Sequence, residues 1–76
     1  MNSSIIKEMT FQLHEQEYIE LNRLLKFLGL VDSGGDAMVR IDQGEVKVNG
    51  ETEFRRRRKL RSGDVVNFNN EKIELI

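Results

Sequence analysis

The 76-residue chain has no cysteine, no proline and no tryptophan. Without cysteine there is neither a disulfide framework nor a thiolate metal site, so the fold must rest on packing alone, as in reduced intracellular proteins. A single histidine, His14, cannot build a metal cluster. No proline, Gly/Ser-rich linker, low-complexity stretch or internal repeat marks a hinge, and residues 1–76 read as one domain. Long apolar runs are missing too. The N-terminal MNSSIIKEM carries only the Ile5-Ile6 pair, far short of a signal-peptide core, and no segment approaches the roughly 20 residues of a membrane span. A soluble cytoplasmic chain with no membrane partner is the expectation. Hydrophobic residues make up 38% of the sequence, enough for one small core, which excludes a two-domain enzyme.

What is present is charge, unevenly placed. Twelve Lys and Arg against thirteen Asp and Glu give a net −1, which predicts no partner. Yet Arg55, Arg56, Arg57, Arg58, Lys59 and Arg61 put six of the twelve cations within seven positions. The rest of the chain holds six cations against thirteen carboxylates, a balance of −7. Positive potential is thus concentrated in one place while the remaining surface repels polyanions, which favours oriented docking over general stickiness.

The apolar pattern orders the chain into short elements. Met9, Phe11 and Leu13 alternate with polar residues as in a half-buried strand. From Tyr18 to Leu28, Leu21, Leu24, Leu25 and Leu28 fall at i, i+3, i+4 and i+7, a helical face ended by Gly29. Ser33 is placed to cap a second helix, with Asp36 at its positive end, Ala37 and Ile41 on one face, and Gly44 as its stop. Then the period becomes two: Val46 and Val48 face one way, and Asn49-Gly50 suits a type I′ turn into a returning strand from Glu51 to Arg57. A second hairpin runs from Asp64 to Phe68, through Asn69-Asn70, to Glu71–Ile76, burying Val65 or Val66, Phe68, Ile73 and Leu75. The predicted architecture is α+β, two short helices packed on a small, mostly antiparallel sheet.

These residues carry a resemblance. Ser33-Gly34-Gly35-Asp36-Ala37, then Ile41-Asp42-Gln43-Gly44-Glu45-Val46-Lys47-Val48-Asn49-Gly50, then Gly63-Asp64-Val65, resemble the S4 RNA-binding domain, over about Glu20 to Phe68. The Ile-x-x-Gly-x-Val-x-Val-Asn-Gly string is its most specific part. The Gly-Gly pair and the lack of an attached catalytic domain are similar to the small standalone bacterial members. The resemblance implies an S4-like fold with an alpha-L motif, in which helices and hairpin present basic side chains to structured RNA, commonly ribosomal. In larger members the domain anchors pseudouridine synthases, methyltransferases and tyrosyl-tRNA synthetases to RNA; here no residues remain for a catalytic domain, so the resemblance implies no enzymatic role. The family's first helix usually begins Arg-Leu-Asp where this chain has Glu20-Leu21-Asn22. Its second helix is usually basic where this one offers Arg40.

The cations therefore sit mainly in the Arg55–Arg61 stretch. Edge-strand charges also guard against aggregation, but one or two would suffice for that. Four consecutive arginines repel one another, so a polyanionic partner explains them better. On an extended strand, Arg55 and Arg57 would face one side and Arg56 and Arg58 the other, with same-side neighbours roughly 6.6 Å apart. Arginine's fork grips phosphate bidentately and stacks on unpaired bases, which suits RNA. Arg40, Lys47, Lys26 and Arg23 are candidates for the margin of this surface. Gly34 and Gly35, in the first turn of the second helix, are candidates for backbone contact with a phosphate or, equally, for a tight entry turn. His14, Tyr18 and Phe27 fit packing or surface roles better than base stacking. Asp32, Asp36 and Asp42 have no paired base, nucleophile or ligand spacing beside them, so no catalytic residue, metal, cofactor or small-molecule substrate is expected. The reading is a monomeric, non-enzymatic binder of structured RNA, with an adaptor for an acidic protein as the alternative.

Overall fold

The computed structural model describes residues 6–76, so most of the N-terminal stretch read above for signal-peptide character lies outside the described residues. The elements are β1 (Lys7–Phe11), β2 (Ile19–Glu20), α1 (Leu21–Phe27), α2 (Gly34–Asp42), β3 (Val46–Val48), β4 (Glu51–Thr52), β5 (Lys59–Leu60), β6 (Val65–Phe68) and β7 (Glu71–Leu75). Five strands form one sheet in the order β1-β7-β6-β3-β4, and β2 with β5 forms a separate two-stranded ribbon. Among the described residues, only β1 and β7 pair in parallel. Two helices on a mostly antiparallel sheet is the architecture expected from the periodicities. No helix among the described residues is long and apolar enough to cross a membrane.

The helices bury the residues their spacing nominates. Leu21, Leu24 and Leu25 of α1 and Ala37 and Ile41 of α2 are fully buried. At the start of α2 the Ser33 hydroxyl accepts the Asp36 amide at 3.1 Å, while the Asp36 carboxylate accepts the Asp32 amide at 3.1 Å. The hydroxyl thereby satisfies one orphan donor of the first turn, and the carboxylate ties the residue before the cap to that turn. Helix α1 begins later than the Tyr18 start expected from the sequence. Ile19 and Glu20 instead pair with Leu60 and Lys59. The α1 N-cap, Glu20, makes no side-chain bond. The amides of Leu21 and Asn22 donate to the carbonyls of Arg58 and Arg56, at 2.9 and 3.1 Å, so a distant loop caps this helix.

On the sheet, Val46, Val48, Val66, Phe68, Ile73 and Leu75 point into the core shared with the helices. Both hairpins turn through positive φ: 54° and 87° at Asn49 and Gly50, 52° and 63° at Asn69 and Asn70. That is the type I′ geometry that matches strand twist. Asn49 has a second task. Its side-chain amide donates to Asp64 Oδ1 at 3.1 Å and its Oδ1 accepts the Val65 amide at 2.9 Å. The first hairpin is thus clipped to the Gly63-Asp64 turn.

The strand expected from Glu51 to Arg57 stops at Thr52. Glu53 turns inward and is buried, its amide donating to the Val46 carbonyl at 2.9 Å. Its carboxylate then recruits the Arg55 amide at 3.0 Å, and the Arg58 amide reaches the Arg55 carbonyl at 3.3 Å. The arginines therefore occupy a turn, and the alternating two-sided display expected of them is absent.

A non-glycine residue held in the left-handed region costs roughly 1–2 kcal/mol, a cost that asparagine lessens. Asn70→Ala should lower stability by about 1 kcal/mol in urea unfolding, whereas Asn70→Gly should match or exceed the parent. Equal stability of all three proteins would contradict this turn geometry.

Candidate nucleic-acid interface

The loop from Glu53 to Arg61 is fixed at several points. Through the Arg56 and Arg58 carbonyls it holds the start of α1. Through Glu53 it holds itself: this carboxylate accepts Arg55 Nε at 2.9 Å, Arg55 Nη2 at 3.1 Å and Arg58 Nη1 at 2.6 Å. Through Arg56 it reaches the end of α2, where Asp42 takes Nε at 3.0 Å and Nη2 in a two-pronged pair. The same guanidinium lies 3.8 Å from Met38 Sδ. Asp42 closes the helix, so Arg56 also sits at the negative end of the α2 dipole.

Hydrogen bonds from Arg55, with smaller help from Arg58, hold the Glu53 carboxyl down at about 2 despite its burial. Asp42 is likewise held below the usual carboxylate range, chiefly by its hydrogen bonds with Arg56. Mutual repulsion among the arginines is therefore met inside the molecule, and does not by itself call for an external polyanion, as the sequence had suggested. Pairing does not bury the cations. The side chains of Arg55, Arg56 and Arg58 remain 72%, 50% and 27% exposed. Arg57 is exposed and has no acidic partner among the described residues. Arg55, Arg57, Arg58 and Lys59 line one open depression. Next to it, Lys59 and Arg61 lie over the Tyr18 ring, 5.0 and 5.7 Å from its centre. Tyr18 thus has a defined role as the support of two cations.

The proposed margin is less unified. Arg23 follows Asn22, whose amide meets the loop, and is 3.9 Å from Glu20; Lys26 lies a turn further along the exposed side of α1. Arg40 is bound by Glu45 at 3.0 Å and Asp36 at 3.4 Å. At 100° per residue it points away from the Met38 and Asp42 stripe that receives Arg56. Lys47 stands on the sheet face opposite the buried Val46 and Val48. Neither joins the loop. Gly34 and Gly35 open α2, at the end opposite Asp42. A Cβ on Gly34 would meet nothing within 4 Å, and one on Gly35 only the Ser33 hydroxyl at 3.8 Å, so no tight helix approach demands glycine there. Phe27 packs edge-on against Phe11 at 5.4 Å, and His14 is exposed with φ 58°. Among the described residues no three His, Cys, Asp or Glu side chains gather as metal ligands.

Sequence reasoning passed over two residues of this loop, Glu53 and Phe54. The signal for Glu53 was an acid two residues ahead of four consecutive arginines, the natural place for a local counter-charge.

Because the folded value for Glu53 lies below its ordinary 4.5, the folded state binds fewer protons than the unfolded chain. This contribution is complete above about pH 4.5 and disappears as pH falls toward about 2. Discounted for the solvent around Arg55, it is worth on the order of 2 kcal/mol. Chemical denaturation of the parent and of Glu53→Gln across pH 2 to 6 should show the parent losing that extra stability while the variant follows a flatter curve. Parallel curves would refute the role given to Glu53.

The S4 domain family model matches residues 11–76, taking in the β1 end and β7 that lay outside the stretch of sequence resemblance. YbcJ of Escherichia coli (strain K12), provisionally named an RNA-binding protein, is 37% identical over 67 residues, 88% of this chain and 96% of its own length. RlbA of Bacillus subtilis (strain 168), provisionally named a ribosome maturation protein, is 44% identical over 52 residues, 68% of this chain and 73% of its own. The solution structure of E. coli YbcJ, described as revealing an alpha-L motif involved in RNA binding, superposes with a TM-score of 0.68 at 34% identity, covering 100% of this chain and 91% of that one. With most of its length matched by the family model, and with a relative 37% identical across 96% of that relative's length, the chain belongs to the S4 domain family.

Proposed function

We propose that this chain is a non-enzymatic RNA-binding protein that docks as a cytoplasmic monomer on structured RNA, either ribosomal RNA or a ribosome-assembly intermediate. The observation that carries this reading is the Glu53–Arg61 loop, in which six cations are clustered and partly immobilised on both helices while still facing solvent. A cation whose side chain is already positioned loses less entropy on meeting a phosphate, which raises affinity without new contacts. A guanidinium that gives two donors to a carboxylate keeps others for a phosphate. The names borne by YbcJ and RlbA support the RNA class and a ribosomal context.

The surface divides the labour. Arg57, Lys59 and Arg61 have no carboxylate partner among the described residues and offer their charge directly. Arg55, Arg56 and Arg58 shape the loop and contribute a charge offset by Glu53 and Asp42. Six cations less these two carboxylates leave a local excess of about four. The acidic remainder of the surface disfavours any other approach, so orientation follows from charge alone.

Neutralising about four phosphates gives a slope of log affinity against log salt of roughly −3 to −4. Titration of an rRNA-derived hairpin at several salt concentrations should return that slope. The triple replacement of Arg57, Lys59 and Arg61 by Ala leaves the Glu53 and Asp42 pairs untouched. It should weaken binding at least tenfold at low salt and flatten the slope by roughly one per cation removed. A flat parent response, or unchanged affinity in the triple variant, would overturn this surface and favour an acidic protein as the loop's partner.

A further inference from the structure

We infer that Phe54 is a stacking platform for an unpaired base, so that the RNA taken by this loop presents an extruded nucleotide beside its phosphates; this rests on the RNA-binding reading above. Phe54 is 60% exposed although it is a large aromatic in a small protein with few of them. It sits between two fixed points, the buried Glu53 and the Arg55 bound to it. One ring edge rests on the α2–β3 turn: a Cβ placed on Gly44 would lie 3.5 Å from Phe54 Cε1 and 3.7 Å from Cζ. Gly44, with φ 78°, thus supplies a bare backbone seat that orients the ring and leaves most of it in water.

The other aromatics are otherwise engaged. Tyr18 supports Lys59 and Arg61; Phe27 is 73% exposed but packs edge-on against Phe11 at the far end of α1 from the loop, away from its cations. Phe54 alone combines an open ring with immediate neighbours, Arg55 and Arg56, that carry exposed guanidinium groups. Aromatic faces next to backbone-tracking cations are how proteins hold unpaired nucleotides. Bases inside a continuous A-form helix are not accessible to a ring, because the major groove is deep and narrow and the pairs remain stacked. The ring therefore selects a bulge, loop or strand end over an uninterrupted duplex.

Two blunt-ended RNA hairpins, closed by the same compact loop whose bases are paired and stacked within it and identical but for a single bulged 2-aminopurine in the stem, separate the possibilities. The parent should bind the bulged hairpin about 5- to 100-fold more tightly, the range for stacking one base on an aromatic, and should quench its fluorescence. Phe54→Ala and Phe54→Leu should lose the preference and the quenching while binding the uninterrupted hairpin as the parent does; Phe54→Trp should retain both. The leucine variant keeps apolar bulk over Gly44, so a loss shared by Ala and Leu is due to the ring, and thermal melts verify folding. Equal parental affinity for the two hairpins, or a preference that survives Phe54→Leu, overturns the inference and leaves the RNA-binding reading standing. Parental failure to bind either hairpin at low salt overturns that reading, and this inference with it.

Discussion

The burial of one carboxylate governs the basic end of this molecule. Glu53 follows a two-residue strand, turns into the interior and gathers Arg55 and Arg58 around it. Had the strand continued, the four arginines would have alternated across it, two on each face. Because it stops, Arg55 and Arg58 close on one anion, Arg56 reaches Asp42, and the loop's carbonyls are left free to cap α1. The pairing is more than surface decoration. An ion pair between exposed groups is worth little, but a carboxylate this enclosed would be strongly destabilised without its partners. Loop conformation and charge arrangement are thus one constraint: the chain cannot rearrange the arginines without exposing or orphaning Glu53.

Much of the scaffold is legible in the sequence because it follows local rules. Leucines at helical spacing, Ser33 with Asp36, Gly29 and Gly44 as stops, and two asparagine-led turns each have a local physical meaning. What escaped depends on contacts distant in sequence. The β2–β5 ribbon is too short to show a period, and its pairing is what delays α1 until Leu21. Nothing in the alternation of Met9 and Phe11 distinguishes a parallel partner from an antiparallel one. The candidate site was legible as a concentration of cations and illegible as a geometry. Asp42 lies 14 residues from Arg56, and no spacing rule joins them. Arg40 and Lys47 looked like neighbours of the run by composition, but helix periodicity and sheet sidedness direct them elsewhere.

The residues that make the family recognisable are largely scaffold. Asn49 joins the Gly50 turn to Asp64, and Asp64 Oδ2 also accepts the Arg61 amide at 2.8 Å. Ile41 and Val46 are core, and Gly44 ends a helix. These positions set where the Arg61 end of the basic loop emerges without contributing charge of their own to bind a phosphate. Recognition of the family thus bears on the frame, whereas the proposed ligand contacts come from residues between the signature segments.

This separation bears on how paired arginines can serve a binding surface. A cation locked to a carboxylate is a weaker attractor at long range than a free one, so Arg55, Arg56 and Arg58 contribute less to first encounter than Arg57, Lys59 and Arg61. At contact the order changes. The locked side chains are already oriented, so they lose less rotamer freedom and discriminate more sharply by geometry. A single small anion gains little from such a surface, since Glu53 and Asp42 already occupy part of its binding capacity. On the proposed reading, a polymer presenting several phosphates at fixed spacing engages the free cations first and is then tested against the ordered ones. The carboxylates on that reading bias the loop toward a folded polyanion and against isolated phosphate, with the same bonds that hold the loop in place.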